Sequence, residues 1–123
     1  NELAQKIIYL TQKYHLENRV LVESETGDFL YYIKTHTDCI ETYLSTSGDF
    51  ELGVSRAINA GFSGISFDYT FKNAISKELI ALIHQKGLKI QLWTINEPLD
   101  IDEALLLKPD FIQTDNTDYV LNE

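Results

Sequence analysis

Cysteine is almost absent: Cys39 is the single one in 123 residues. That excludes an internal disulfide and any metal site built from thiolates alone. Beside Ile40 it reads as a small buried hydrophobe. Positive charge is also scarce. Ten Lys and Arg stand against 19 Asp and Glu, giving a net charge of −9 and a pI near 4.7. Clustered cations are what phosphate-rich surfaces require, so this balance excludes nucleic acid and anionic membranes as partners. No apolar run approaches the ~20 residues that span a bilayer, and no signal peptide is visible. The chain starts at Asn1 directly in a helical pattern, as a mature chain, a trimmed chain or a fragment would. A soluble protein of the cytoplasm, the periplasm or the exterior is equally compatible with that start. A glycine-rich phosphate loop is missing too. Gly61-Phe62-Ser63-Gly64 leads into a strand rather than a helix, so the dinucleotide fingerprint is not met.

What is present is an ordinary globular composition, 44% hydrophobic and 24% charged, enough for a single domain over 1–123 with a real core. Apolar spacing predicts a helix over 2–15, a strand over 19–23, a helix over 29–36 and a strand over 39–44. Asp49 is placed to cap a helix over 50–60, and Gly61 to end it. A strand over 64–68 and an irregular stretch follow. Ser76 then caps a helix that Gly87 closes. A strand over 89–94 comes next. Asp100 and Glu103 approximate a capping box for a helix that reaches Leu107, and Pro109 forbids its continuation. A last strand over 111–114 leads into a polar tail. Alternating strands and helices with short links mean a parallel sheet with right-handed crossovers. The fold class is therefore α/β. It is either a doubly wound open sheet or about half of a (β/α)8 barrel, since a complete barrel needs ~250 residues.

Either layout gathers function at the carboxyl ends of the strands. Those ends offer Glu23, Ser24 and Glu25, then Tyr43 and Ser45, then Asp68 and Tyr69, then Trp93, Thr94 and Asn96, and finally Gln113, Thr114 and Asp115. Glu23 and Asp68 are oxygen donors of a kind that suits Mg²⁺ or Ca²⁺; the plainer reading is two structural or solvated carboxylates. Trp93 is either barrel core or a platform for a ligand. Asp115 either caps the tail or bonds to neighbouring loops. Histidine is lacking at this face: His15, His36 and His84 each precede a strand, which sets them towards the opposite side, and no Ser-His-Asp or Cys-His arrangement follows. No catalytic and no metal-ligating residue is identified on these grounds.

The run Gly87-Leu88-Lys89-Ile90-Gln91-Leu92-Trp93-Thr94-Ile95-Asn96, followed by Pro109-Asp110-Phe111-Ile112-Gln113-Thr114-Asp115, resembles the end of a glycerophosphodiester phosphodiesterase. That family closes with a strand ending in Trp-Thr-Val-Asn, a helix, and a strand ending in Thr-Asp. Asn18-Arg19-Val20-Leu21-Val22-Glu23-Ser24 resembles its fourth strand. The resemblance implies a TIM barrel that hydrolyses glycerophosphodiesters to glycerol 3-phosphate and an alcohol with a divalent cation, in lipid and glycerol metabolism. It also implies that Trp93 is a wall for the substrate, with Glu23, Asp68, Asn96 and Asp115 at the same face. The family's His-Arg-Gly, Glu-x-Asp and Glu-x-Lys motifs, which come from its first three strands, have no match here. The chain therefore resembles the carboxyl half of such an enzyme, inactive alone, with open sheet edges that call for a homo-oligomer or an amino-terminal half. The alternative is a non-catalytic α/β binding or structural module.

Overall fold

The computed structural model describes residues 1–122. Helix α1 (Glu2–Lys13) leads into β1 (Val20–Ser24), α2 (Gly27–His36), β2 (Ile40–Thr46), α3 (Phe50–Ala60) and β3 (Gly64–Asp68). A short 3₁₀ segment (Tyr69–Ala74) precedes α4 (Lys77–Gln85), β4 (Lys89–Trp93), α5 (Pro98–Leu106), β5 (Phe111–Ile112) and α6 (Thr117–Leu121). Local chemistry sets several boundaries. Asp49 accepts a hydrogen bond from the Leu52 amide at 3.0 Å and Ser76 from the Leu79 amide at 3.1 Å. Each satisfies an amide that the first helical turn leaves unpaired. Gly61 ends α3 in the left-handed region at φ 68°, where a side chain would be strained.

All neighbouring strands pair in parallel, and the order along the sheet is β1-β2-β3-β4-β5. Every crossover thus steps the same way. A doubly wound sheet reverses direction once; this one never does, so its helices share one face and the sheet curls into half of a barrel. The side chains divide accordingly. Leu44, Ile65, Phe67, Ile90 and Leu92 are buried in one apolar cluster with residues of α2 to α5. The alternate residues, among them Glu23, Ser66 and Gln91, line the concave side.

Four sequence expectations change. Cys39 is only half-buried, because β2 begins one residue later and the Cys39 amide bonds to Thr37 Oγ1 at 3.1 Å. Asp100 and Glu103 form no capping box. Pro98, pre-set for a first helical position, starts α5 with Glu97 as its N-cap. That leaves both carboxylates free to take Lys72 Nζ, at 2.5 and 3.1 Å. The final strand is two residues long rather than four. The polar tail holds a five-residue helix, α6.

Candidate functional site at the strand tips

Glu23 is the centre of the concave side. Its Oε2 accepts hydrogen bonds from Ser66 Oγ at 2.7 Å and from Gln91 Nε2 at 2.6 Å. Ser66 and Gln91 lie on β3 and β4, two and three strands away. In a flat sheet three strand spacings of about 4.8 Å make roughly 14 Å, beyond the combined reach of two such side chains. The bond exists because the sheet is curled. Both partners are buried, so the carboxylate is held in one orientation beneath the strand tips. Sequence reasoning missed Ser66 and Gln91. The available signal was a polar residue at the middle inward position of each of two strands whose outward positions are apolar.

One layer towards the tips, Asp68 and Trp93 are register partners on β3 and β4. Asp68 is already engaged: its Oδ1 accepts from the Thr70 amide at 2.9 Å and the Thr70 hydroxyl at 2.7 Å, which starts the 3₁₀ segment. Trp93 is partly exposed, and its indole Nε1 is buried with no hydrogen-bond partner among the described residues. Beyond it, the Trp-Thr-Ile-Asn and Thr-Asp stretches meet. Asn96 Oδ1 accepts from the Asp115 amide at 2.8 Å, and Asn96 Nδ2 donates to Asp115 Oδ2 at 2.9 Å. Of the sequence candidates, then, Asn96 and Asp115 are brought together. Glu23 is joined to two residues not on that roster, and Asp68 to neither.

Below this layer, the fully buried Tyr43 donates its hydroxyl to Glu41 Oε2 at 3.0 Å. Burial, and then the Glu41 hydrogen bond and charge, hold the phenol well above its ordinary range. Hydrogen bonds to Asp100 and then Glu103 raise Lys72 likewise. Both groups keep their proton more tightly when folded. Their contribution to stability is present below their ordinary pKa values, about 10, and is lost as pH rises through the raised ones. Urea denaturation across pH 8 to 12 should therefore show stability falling above about pH 10. Tyr43→Phe should flatten that fall and cost about 1 kcal/mol at neutral pH through the lost hydrogen bond.

The histidines stay away from the tips. His36 Nδ1 lies 2.7 Å from the Tyr32 carbonyl in the last turn of α2, and His84 Nε2 lies 2.8 Å from Asp110 Oδ2 at the entry to β5. No group of three His, Cys, Asp or Glu suited to a metal ion occurs among the described residues. Glu23 Oε2 is taken by Ser66 and Gln91 and Asp68 Oδ1 by Thr70. No helix of the described residues is long and apolar enough to cross a membrane.

The sequence model of the Glycerophosphoryl diester phosphodiesterase family matches residues 1–119. Among curated proteins, none matches the sequence. A proposed glycerophosphoryl diester phosphodiesterase from Silicibacter pomeroyi superposes at TM-score 0.82 with 21% identity, over 96% of this chain and 41% of that one. A glycerophosphodiester phosphodiesterase from Parabacteroides distasonis gives TM-score 0.81 with 18% identity, over 98% and 50%. An Oleispira antarctica phosphodiesterase, solved with the product sn-glycerol-3-phosphate, gives 0.64 with 16% identity, over 78% and 38%. The chain thus spans half or less of the length of these three structures, and at such identities the likeness is one of fold.

Proposed function

Because the chain belongs to the glycerophosphoryl diester phosphodiesterase family, we propose that it builds one side of the active face of an enzyme that cleaves glycerophosphodiesters to glycerol 3-phosphate and an alcohol. The observation that carries this reading is the arrangement at the end of β4. Trp93 stands at the rim of a concave face whose next layer down is polar and tied together by Glu23. An aromatic surface over a hydrogen-bonding floor suits the carbon skeleton and hydroxyls of a glycerol moiety.

Hydrolysis of a phosphodiester needs charge stabilisation and a proton shuttle. On this reading the cation, Mg²⁺ or Ca²⁺, and the acid–base groups come from strands beyond these five. An eight-stranded barrel lacks about three strands here. Two features support this reading. The outer edge of β1 has no strand partner among the described residues. Beside it runs a groove of about 530 Å³ between Leu3 and Ile7 on one wall and Val22 and Phe29 on the other, with Leu3 64% exposed. A complementary amino-terminal half fits this gap better than a second copy, because two copies would bring ten strands to a barrel of eight.

The test is a chimera in which the first strand–helix units of a family member precede residue 1. Supplied with Mg²⁺ or Ca²⁺, it should hydrolyse glycerophosphocholine, while the 123 residues alone should not. Trp93→Ala in the chimera should lower kcat/KM by about 10- to 100-fold, the loss of one buried aromatic contact. A folded chimera that turns over no glycerophosphodiester would leave the binding-module reading standing instead.

A further inference from the structure

Trp93 is the residue through which the proposed substrate is met, yet nothing polar fixes its ring, since its Nε1 has no partner among the described residues. Its orientation then rests on packing and on the backbone that carries it. That backbone is tied on both sides of the ring. Gln113 donates its amide to the Leu92 carbonyl at 2.9 Å, and Ile95 donates its amide to the Gln113 carbonyl at 2.9 Å. Ile95, two residues beyond the ring, is fully buried in the core.

Asn96 completes the tie, and its side chain is used on both ends. Oδ1 accepts from the Asp115 amide at 2.8 Å and from Thr114 Oγ1 at 3.4 Å. Nδ2 donates to Asp115 Oδ2 at 2.9 Å. Asn116 Nδ2 also donates to the Asn96 carbonyl at 3.3 Å. One amide therefore reads both the main chain and the side chain of residue 115. A carboxamide does this and a carboxylate does not, because one end must accept while the other donates.

We propose that Asn96 and Asp115 are positioning residues: their paired hydrogen bonds lock the tips of β4 and β5 together and so set the orientation of Trp93. The significance of Trp93 for substrate rests on the function proposed above, but the coupling does not. Neither residue is offered as a ligand, since Asn96 is committed at both ends and Asp115 is committed through its amide and one oxygen.

The chemistry allows a test by exchanging donor and acceptor. Asn96→Asp replaces the donor with an acceptor 2.9 Å from Asp115 Oδ2, so two carboxylates face each other. Asp115→Asn keeps the bond, because the new amide oxygen still accepts from Asn96 Nδ2. Combining both changes reverses the direction of the bond and restores the original charge. Trp93 is the only tryptophan, so its fluorescence reports on this tip alone and needs no substrate. Acrylamide quenching of Asn96→Asp should rise at least twofold over the starting protein, with the far-ultraviolet circular dichroism unchanged. Asp115→Asn should quench as the starting protein does, and the double variant should return to that value. An Asn96→Asp protein that quenches normally overturns the proposal, as does a double variant that is not rescued. Should Asn96→Asp alone fail to fold, the double variant decides: folded with ordinary quenching supports the coupling, unfolded or altered quenching overturns it. An inactive chimera would count against the enzymatic reading and leave this outcome untouched.

Discussion

Gly64→Val should unfold the chain, and Gly64→Ala should cost about 3 kcal/mol or more, the upper end of what overpacking a core exacts. Gly64 opens β3 in register with Tyr43 on one side and Lys89 on the other. A β-carbon there would lie 2.5 Å from Tyr43 Cε1 and 2.7 Å from the Lys89 carbonyl oxygen. Neither neighbour has room to yield. The Tyr43 ring is fully buried, its hydroxyl is held by Glu41, and its edge packs against Phe111 with centroids 6.2 Å apart. The Lys89 oxygen belongs to the β3–β4 ladder, so moving it costs hydrogen bonds. A loss of 3 kcal/mol corresponds to a drop of about 1 to 3 M in the urea midpoint of a small protein. A Gly64→Ala midpoint within a few tenths molar of the starting value would refute this account of the concave side.

The second large effect lies on the other side of the sheet. Phe67→Ala should destabilise by about 3–5 kcal/mol, a large share of the 5–15 kcal/mol typical of a folded domain. Phe67 is fully buried and its ring sits 4.2 Å, centroid to centroid, from that of Phe50 on α3. Phe50 in turn meets Phe71 of the 3₁₀ segment edge-on at 6.4 Å. Removing the Phe67 ring leaves a cavity against Phe50, the ring that joins β3, α3 and the 3₁₀ segment. Phe67→Leu retains most of the volume and should cost less than about 1.5 kcal/mol. Chemical denaturation of the two variants side by side separates lost packing from lost aromatic contact.

The elements that the sequence announced are those decided within a few residues. Asp49 and Ser76 cap the helices they were expected to cap, and Gly61 ends α3, because each acts on its own helical turn. Misreadings arise where a distant group competes. Asp100 and Glu103 have the spacing of a capping box, but Lys72, 28 residues from the first of them, takes both. Local patterns left the half-barrel open against a doubly wound sheet, since they do not say whether successive crossovers reverse; the family resemblance implied it, and the strand order bears it out. The site divides in the same way. Trp93 stood out as the only tryptophan, at a strand tip. Ser66 and Gln91 did not, because their importance comes from Glu23, 43 and 68 residues away. The pairing of Asn96 with Asp115 joins two short motifs that sequence alone could set at the same face but not in contact.

The bond from Glu23 to Gln91 has a mechanical meaning as well. It spans three strands along a chord that only a curved sheet makes short, so it acts as a tie-bar across an arch. Flattening the arch would break it and expose a carboxylate that is now held by two donors. The bond is thereby both a product of the curvature and a restraint that helps to hold it. In the barrel proposed above, further strands would meet an arc already held in shape.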